Sequence, residues 1–184
     1  YSADTNQKGL RIGVINTTGL QVLNNAGATA INYQISNRGV YMNSWTHVAV
    51  TRRNGILRGY INGVLYATNA DTYNYNVPTF TIGSQVVART TLLLGYTCDV
   101  RIARGISLYN ANFTPPVNMI TSDTTPAGRN YYAATMVTNT SQYLYWDVTT
   151  TLDTSVKFCI EFWINFSATP AGVAAILGDQ SNLV

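Results

Sequence analysis

Two Asn-Gly pairs constrain this chain more than any other feature. Asn54-Gly55 and Asn62-Gly63 lie within residues 45–66 (WTHVAVTRRNGILRGYINGVLY), with strand-like sequence between them. Asn-Gly is a strong hairpin signal because both residues tolerate the positive φ of a type I′ turn. Apolar and polar residues alternate around both pairs. The segment therefore predicts three antiparallel strands joined by two tight turns.

The composition fits one all-β domain. The chain has 184 residues, of which 10% are charged, and it contains 13 tyrosines. This mixture favours strands and turns, and no segment shows a sustained helical period of 3.6 residues. No apolar run reaches the roughly 18 residues of a membrane span, so we expect no membrane insertion. A net charge of +3 is too small for a nucleic-acid module, so we expect no nucleic-acid partner.

Arginines cluster around the first turn. Arg52, Arg53 and Arg58 flank the Asn54-Gly55 pair. We expect a solvated hairpin here, and the alternative is a patch for anionic sugars or phosphates.

Further along the chain, turn-rich and strand-like segments alternate. Residues 69–78 (NADTYNYNVP) predict an exposed loop that ends at Pro78, and residues 117–130 have the composition of a linker. In KFCIEFWINF, every second residue from Phe158 to Phe166 is apolar, as expected of a sandwich core strand.

Several of these motifs occur together in a known family. W-T-H-V-A-V-T-R, Y-I-N-G, T-I-G-S and D-V-R-I-A-R-G-I-S-L-Y-N-A-N-F-T-P-P follow one another up to residue 116, and FCIEFWINF comes later. In combination they resemble the laminin-G-like domains of the concanavalin A-like lectin/glucanase superfamily, in the version found in phage virion and tail proteins. The resemblance implies an antiparallel two-sheet jelly-roll sandwich.

The order of the motifs is rotated relative to that family, where a strand like FCIEFWINF precedes the W-T-H-V-A-V strand. One alternative is a circular permutation, in which residues 131–184 complete the sandwich of residues 1–116 across the linker 117–130. The other is that residues 131–184 complete the sandwich of a neighbouring subunit. Exchange of that kind builds open filaments unless the rotation closes a ring.

The sequence contains no pair of acidic residues at the alternate positions expected of catalytic carboxylates. Retaining glycoside hydrolysis needs two carboxylates about 5–5.5 Å apart. Glu161 is the one glutamate, and no aspartate pairs with another acid two residues away. His47, the one histidine, is expected to be structural. We therefore expect a protein that is not an enzyme.

No cofactor is expected except calcium, which many relatives hold at the rim of the sandwich. Calcium prefers carboxylate and carbonyl oxygens. Asp71 and Asp179 are the weak candidates for such a site.

Sugar binding would use exposed aromatic faces together with amide or carboxylate hydrogen bonds. The loop at 69–78 offers the most plausible exposed pair of tyrosines with flanking asparagines: Tyr73, Asn74, Tyr75 and Asn76. The three tryptophans, in contrast, are expected in the core: Trp45, Trp146 and Trp163.

Cys98 and Cys159 both lie in strand-like runs. A disulfide between them is one alternative, if the two strands are neighbours. Two reduced, inert thiols are the other.

By resemblance, we expect a non-enzymatic structural or adhesive module of an extracellular or virion assembly, such as a phage tail, fibre or filament. Its partners would be copies of itself or other virion or filament subunits, and it would lie on the virion surface or outside the cell. The alternative is an autonomous lectin that recognises cell-surface glycans.

Overall fold

The computed structural model describes residues 7–15, 19–25, 31–36, 43–83, 93, 95–117, 136–137, 144–152, 157–167 and 173–179. Within these ranges the chain forms twelve β-strands and no helix. Accordingly, none of these residues belongs to a helix able to cross a membrane. The strands are β1 (Gln7–Ile15), β2 (Gly19–Asn25), β3 (Ile31–Ser36), β4 (Thr46–Arg53), β5 (Ile56–Ile61), β6 (Val64–Ala70), β7 (Asn74–Ile82), β8 (Gly95–Arg104), β9 (Met136–Val137), β10 (Leu144–Leu152), β11 (Phe158–Phe166) and β12 (Val173–Asp179).

The strands form two six-stranded sheets. Sheet A has the order β10-β7-β12-β1-β2-β3, and sheet B has the order β6-β5-β4-β11-β8-β9. Neighbouring strands are antiparallel except for a short parallel pairing of β1 with β7. Buried apolar side chains from both sheets, such as Ile12 of β1 and Val50 of β4, belong to one cluster. The expected all-β antiparallel sandwich is confirmed.

Both Asn-Gly pairs form the tight turns that the sequence predicts. Asn54 and Gly55 have φ values of 52° and 68°, and Asn62 and Gly63 have 49° and 77°. Two successive residues with positive φ are the mark of a type I′ turn. The turns join β4 to β5 and β5 to β6, and each pair of strands is antiparallel.

Strand β11 occupies the middle of sheet B. Its residue Glu161 lies opposite Ala49 on β4 and opposite Arg101 on β8. Its apolar stripe points into the core, as predicted, and is at most 2% exposed: Phe158, Ile160, Phe162, Ile164 and Phe166. Except for residue 117, the linker predicted at 117–130 lies outside the described residues. The boundaries of the three predicted segments therefore stay predictions.

The expectation of an exposed loop over 69–78 is wrong at both ends, because residues 69–70 belong to β6 and residues 74–78 belong to β7. Strand β7 begins at Asn74 and runs through Pro78, between β10 and β12. Proline lacks a backbone donor and is tolerated in a sheet interior only at an irregularity. Such an irregularity is present, because Val77 lies opposite Thr150 while Thr79 lies opposite Asp147. One additional residue of β10 therefore faces the proline as a bulge.

We predict that Phe162→Ala lowers the free energy of unfolding by about 3–5 kcal/mol, because it opens a cavity at the centre of the core. Val64→Ala is the control, since Val64 lies on the edge strand β6 and is 44% exposed. That change should cost no more than about 0.5 kcal/mol. Urea denaturation of both variants measures the difference, and equal losses would contradict the central position of β11.

Candidate functional site

A cleft of about 610 Å³ opens beside sheet B. Its walls come from the residue before β4, the β5–β6 turn, β8, β11 and the segment 105–117, which we call the strap. The described residues that line it are Trp45, Asn62, Cys98, Asp99, Pro115, Val117 and Trp163.

The strap lies across the face of sheet B that points away from the core. The rings of Tyr109 and Phe113 stack at 3.5 Å between centroids and 4° between planes. The carbonyl oxygen of Tyr109 accepts hydrogen bonds from the Thr51 hydroxyl (3.1 Å) and the Tyr60 hydroxyl (3.2 Å). The Phe113 N–H donates to the Gly63 carbonyl at 2.9 Å. These bonds tie the strap to β4, β5 and the β5–β6 turn.

A buried charge cluster lies under the strap. The Glu161 side chain is 0% exposed and forms an ion pair with Arg101 of β8. The Tyr109 hydroxyl donates a hydrogen bond of 2.7 Å to its Oε2 atom. Every one of these partners holds the carboxylate in place. Glu161 is therefore a hydrogen-bonded structural residue.

His47 touches the same carboxylate without carrying charge. Its Nε2 atom lies 3.2 Å from Glu161 Oε2, and both side chains are 0% exposed. Burial, with a smaller contribution from the positive charge of Arg101, lowers the pKa of His47 to about 4. The imidazole is therefore neutral at pH 7, and the cluster holds one carboxylate and one guanidinium. This placement agrees with the structural role expected for His47.

Trp45 contradicts the expectation that the tryptophans are core residues. It precedes β4 rather than lying in it, and it is 45% exposed. The turn before it is fixed by Asn43, whose φ is 55° and whose N–H donates to the Phe166 carbonyl at 2.7 Å. Trp163 is half-buried, and its Nε1–H donates to the Pro116 carbonyl at 3.3 Å. Both indoles line the cleft.

The side chain of Trp146 on β10 lies outside the described residues, so its expected position in the core stays a prediction.

Asp99 enters the cleft from a β-bulge. Glu161 of β11 lies opposite Arg101, and Trp163 lies opposite Cys98. Strand β8 therefore has one more residue in this interval than β11. Asp99 has a φ of 53°, in the left-handed region that aspartate tolerates better than most residues. A bulge of this kind redirects a side chain that regular pairing would aim elsewhere.

Asn62, in the β5–β6 turn, also lines the cleft. Its Oδ1 atom accepts a bond of 2.8 Å from the His47 N–H, and its own N–H donates to the His47 carbonyl at 2.8 Å. The side chain is thereby fixed with its oxygen engaged. The amide NH₂ group of Asn62 has two further donors, which no hydrogen bond to a described residue engages.

The structure does not bring the predicted sugar-binding residues into an exposed group. Tyr75 is 0% exposed, and its hydroxyl donates to Asp71 Oδ2 at 2.8 Å. A ring with no exposed face cannot stack on a sugar, so the expectation for Tyr75 is wrong. Tyr73 and Asn74 are half-buried. Asn76 lies in β7 opposite Thr151, and its side chain is outside the described residues.

Asp71 and Asp179 do not share a calcium site. Asp71 precedes β7, whereas Asp179 of β12 lies opposite Phe80, near the other end of β7. The six residue steps from Asn74 to Phe80 span about 20 Å of strand. Within the described part of the chain, no three His, Cys, Asp or Glu side chains form a group suited to a metal ion.

The partner of Asp71 is a buried arginine. Arg52 Nη1 lies 3.5 Å from Asp71 Oδ2 and donates to the Tyr73 carbonyl at 2.7 Å. Its guanidinium also lies over the ring of Phe158, 4.8 Å from the centroid. Arg52 is 0% exposed. The expectation of a solvated arginine hairpin is therefore wrong for this residue, and it cannot belong to a surface patch for anions.

The two cysteines are free thiols. Although β8 and β11 are neighbours, Cys98 lies opposite Trp163 and Cys159 lies opposite Ala103. Five residue steps along β8, or about 16 Å, separate the two positions, which excludes a disulfide. Burial, reinforced by the negative charge of Asp99, raises the pKa of Cys98 to about 11, so this thiol in the cleft stays protonated at neutral pH.

Sequence reasoning missed three residues that line the cleft: Trp45, Asn62 and Asp99. The available signals were weak: Trp45 stands before a strand rather than in it, and Asn62 belongs to an Asn-Gly turn. For Asp99, the sequence carried no sign of the bulge.

Comparison with known proteins adds one match. A laminin-G-type family model, described as concanavalin A-like lectin/glucanases superfamily, matches residues 1–106, more than half of the chain. The matched region includes Trp45, Asn62 and Asp99, but it ends within the strap and before β11. No curated protein and no solved structure gives a match.

We predict that Gly63→Ala displaces the strap. A Cβ atom at Gly63 would stand 1.8 Å from the Phe113 carbonyl oxygen, so the backbone must move. Gly55→Ala is the matched control, because Gly55 has a similar φ in the other Asn-Gly turn and its Cβ would meet nothing closer than 3.8 Å. Both changes strain a positive φ, but Gly63→Ala should cost about 2 kcal/mol more. Thermal or urea unfolding measures both, and equal destabilisation would rule out this close approach.

Proposed function

The chain belongs to the concanavalin A-like lectin/glucanases superfamily, and from this premise we propose that it is a non-enzymatic adhesive module that binds saccharides in the cleft. The observation that carries the proposal is the exposed indole of Trp45 beside Asn62 and Asp99. An indole face packs against the C–H bonds of a sugar ring, and amide and carboxylate groups bond its hydroxyls. The cleft combines these groups.

The carboxylates favour binding over catalysis. Asp99 is the single carboxylate among the described residues that line the cleft. Hydrolysis of a glycoside by the common mechanisms needs two carboxyl groups at the scissile bond. Glu161 is held under the strap by Arg101 and Tyr109 rather than standing free. These arrangements support a module that retains its ligand unchanged.

We further propose that the module belongs to an extracellular or virion assembly, such as a phage tail or fibre, and that it lies on the surface of that assembly. The motif D-V-R-I-A-R-G-I-S-L-Y-N-A-N-F-T-P-P, which covers the second part of β8 and the strap up to residue 116, is the basis for this placement. Partners would then be copies of this chain, other virion or filament subunits, and cell-surface glycans.

A second candidate function is structural assembly by strand exchange, and the position of β11 favours it. This strand lies beyond the matched residues 1–106, yet it separates β4 from β8, which both lie within them. A circular permutation explains the arrangement when residues 131–184 complete their own sandwich. The same pairings could join two subunits, since a sheet that lacks a central strand accepts one from another chain.

We predict that Trp45→Ala abolishes most saccharide binding. An array of immobilised oligosaccharides identifies a ligand, and isothermal titration then measures its Kd with each variant. The loss should be about tenfold or more, since removing an aromatic platform costs about 1.4 kcal/mol or more. Tyr66→Ala is the control, because Tyr66 is similarly exposed, at 46%, on β6 outside the lining of the cleft. Equal saccharide binding by the two variants would contradict a binding site at Trp45.

If strands are exchanged between subunits, a disulfide engineered between β4 and β11 should link different chains. Thr51 of β4 lies opposite Cys159 of β11 in the register of sheet B. In a Cys98→Ser background, Thr51→Cys places a second thiol beside Cys159, and mild oxidation should link β4 to whichever β11 is its neighbour. Exchange gives dimers and higher species on non-reducing gels, increasing with protein concentration. Internally linked monomers at every concentration would instead support the permuted, self-completed sandwich.

A further inference from the structure

We propose that the cleft selects saccharides that carry a protonated amino group. This inference rests on the proposed saccharide-binding function and names the ligand class for the same site. It is carried by the charge state of the cleft, the backbone at Asp99 and the two indoles.

Asp99 differs from the other carboxylates whose side chains the structure describes. Asp71 is paired with Arg52, and Glu161 is paired with Arg101. Asp99 has no basic side chain within 4 Å among the described residues. The described lining of the cleft contains neither lysine nor arginine. The cleft therefore offers a negative charge for which a ligand is the natural counterion.

The backbone at Asp99 supports a role beyond strand pairing. Asp99 is the sole positive-φ residue among the described residues of β8, and it lies where that strand has one residue more than β11. A left-handed non-glycine residue is a local strain that clusters at ligand-binding sites. Regular pairing at this position would remove both the strain and the bulge. The bulge instead places Asp99 in the lining of the cleft.

The two indoles favour a cation over an anion. A cationic nitrogen over the face of a tryptophan gains about 0.5–2 kcal/mol. Trp45 and Trp163 both line the cleft with Asp99, so an ammonium group there meets aromatic and carboxylate partners together. A charge-assisted bond from ammonium to carboxylate is also roughly twice as strong as a neutral one. An anionic sugar would meet Asp99 with no compensating cation in the described lining.

Asn62 explains why the ligand is a sugar rather than a simple amine. With its Oδ1 atom held by the His47 N–H, Asn62 offers donors to the cleft. Hydroxyl and ring oxygens next to the amino group of an aminohexose are suitable acceptors. An ammonium group beside such oxygens matches Asp99 and Asn62 at once.

The test compares tetramers that share one backbone: glucosamine, N-acetylglucosamine and glucose in β-1,4 linkage. Titration calorimetry is run at a pH where the amines are protonated. The amine tetramer should bind about tenfold more tightly than the other two, and this preference should decrease with added salt, because salt screens an exposed ion pair. Tetralysine provides a cation without a sugar, and we expect it to bind at least tenfold more weakly than the amine tetramer.

Asp99→Asn removes the charge while keeping a residue that tolerates the left-handed φ. It should weaken binding of the amine tetramer about tenfold and reduce the preference for it. Thr68→Lys is the control, since it raises the net charge by the same +1 at an exposed position on β6, outside the described lining of the cleft. Equal effects of the two variants would attribute the preference to overall charge and overturn the inference.

The remaining outcomes separate this inference from the function on which it rests. If the three sugar tetramers bind equally, or if tetralysine binds as tightly as the amine tetramer, the selectivity for amino sugars is wrong while saccharide binding at Trp45 stands on its own test. If no tetramer binds and the oligosaccharide array is blank, both the inference and the proposed function fail.

Discussion

The insertion of β11 between β4 and β8 is the interaction on which the rest of the structure depends. One face of the strand supplies Phe162 and four other apolar side chains to the core, and its backbone bonds to both neighbours. Removing it would expose the inner edges of β4 and β8 and open an apolar gap between the sheets. Unpaired edges of that kind associate with other strands, which is why the source of β11 decides both stability and assembly.

The opposite face of β11 sets the position of the cleft. Glu161 on that face is buried, and a buried charge is tolerated only when it is paired and hydrogen-bonded. Arg101 supplies the pairing and Tyr109 supplies a hydrogen bond, so the strap must lie across the sheet for the carboxylate to be satisfied. Trp163, two residues further along the same face, then bonds to the end of the strap at Pro116. The buried carboxylate thus helps to hold the wall that the strap contributes to the cleft.

Local signals in the sequence predicted the parts of the fold that local chemistry decides. The two Asn-Gly turns depend on residues that tolerate a positive φ, and the apolar stripe of β11 depends on a period of two. Both features can be recognised in a single sequence. Tyr75, Arg52 and Asp99 depend on their neighbours in space. Tyr75 and Arg52 are polar residues that are buried because each of them binds Asp71. The composition of their segments had suggested an exposed loop for Tyr75 and a solvated turn for Arg52. The bulge at Asp99 results from the register of β8 against β11, which no single segment encodes.

Strand β11 also links the two proposed functions. It contributes Trp163 to the cleft, while Trp45, Asn62 and Asp99 come from the region that matches the family. In a self-completed sandwich, one chain builds the whole cleft. In an exchanged assembly, the neighbouring subunit would supply this wall, and the cleft would form only where two subunits meet. Binding would then report on assembly, because a chain without a partner would lack both a core strand and one of the two indoles. The source of this single strand therefore determines whether adhesion is a property of the monomer or of the polymer.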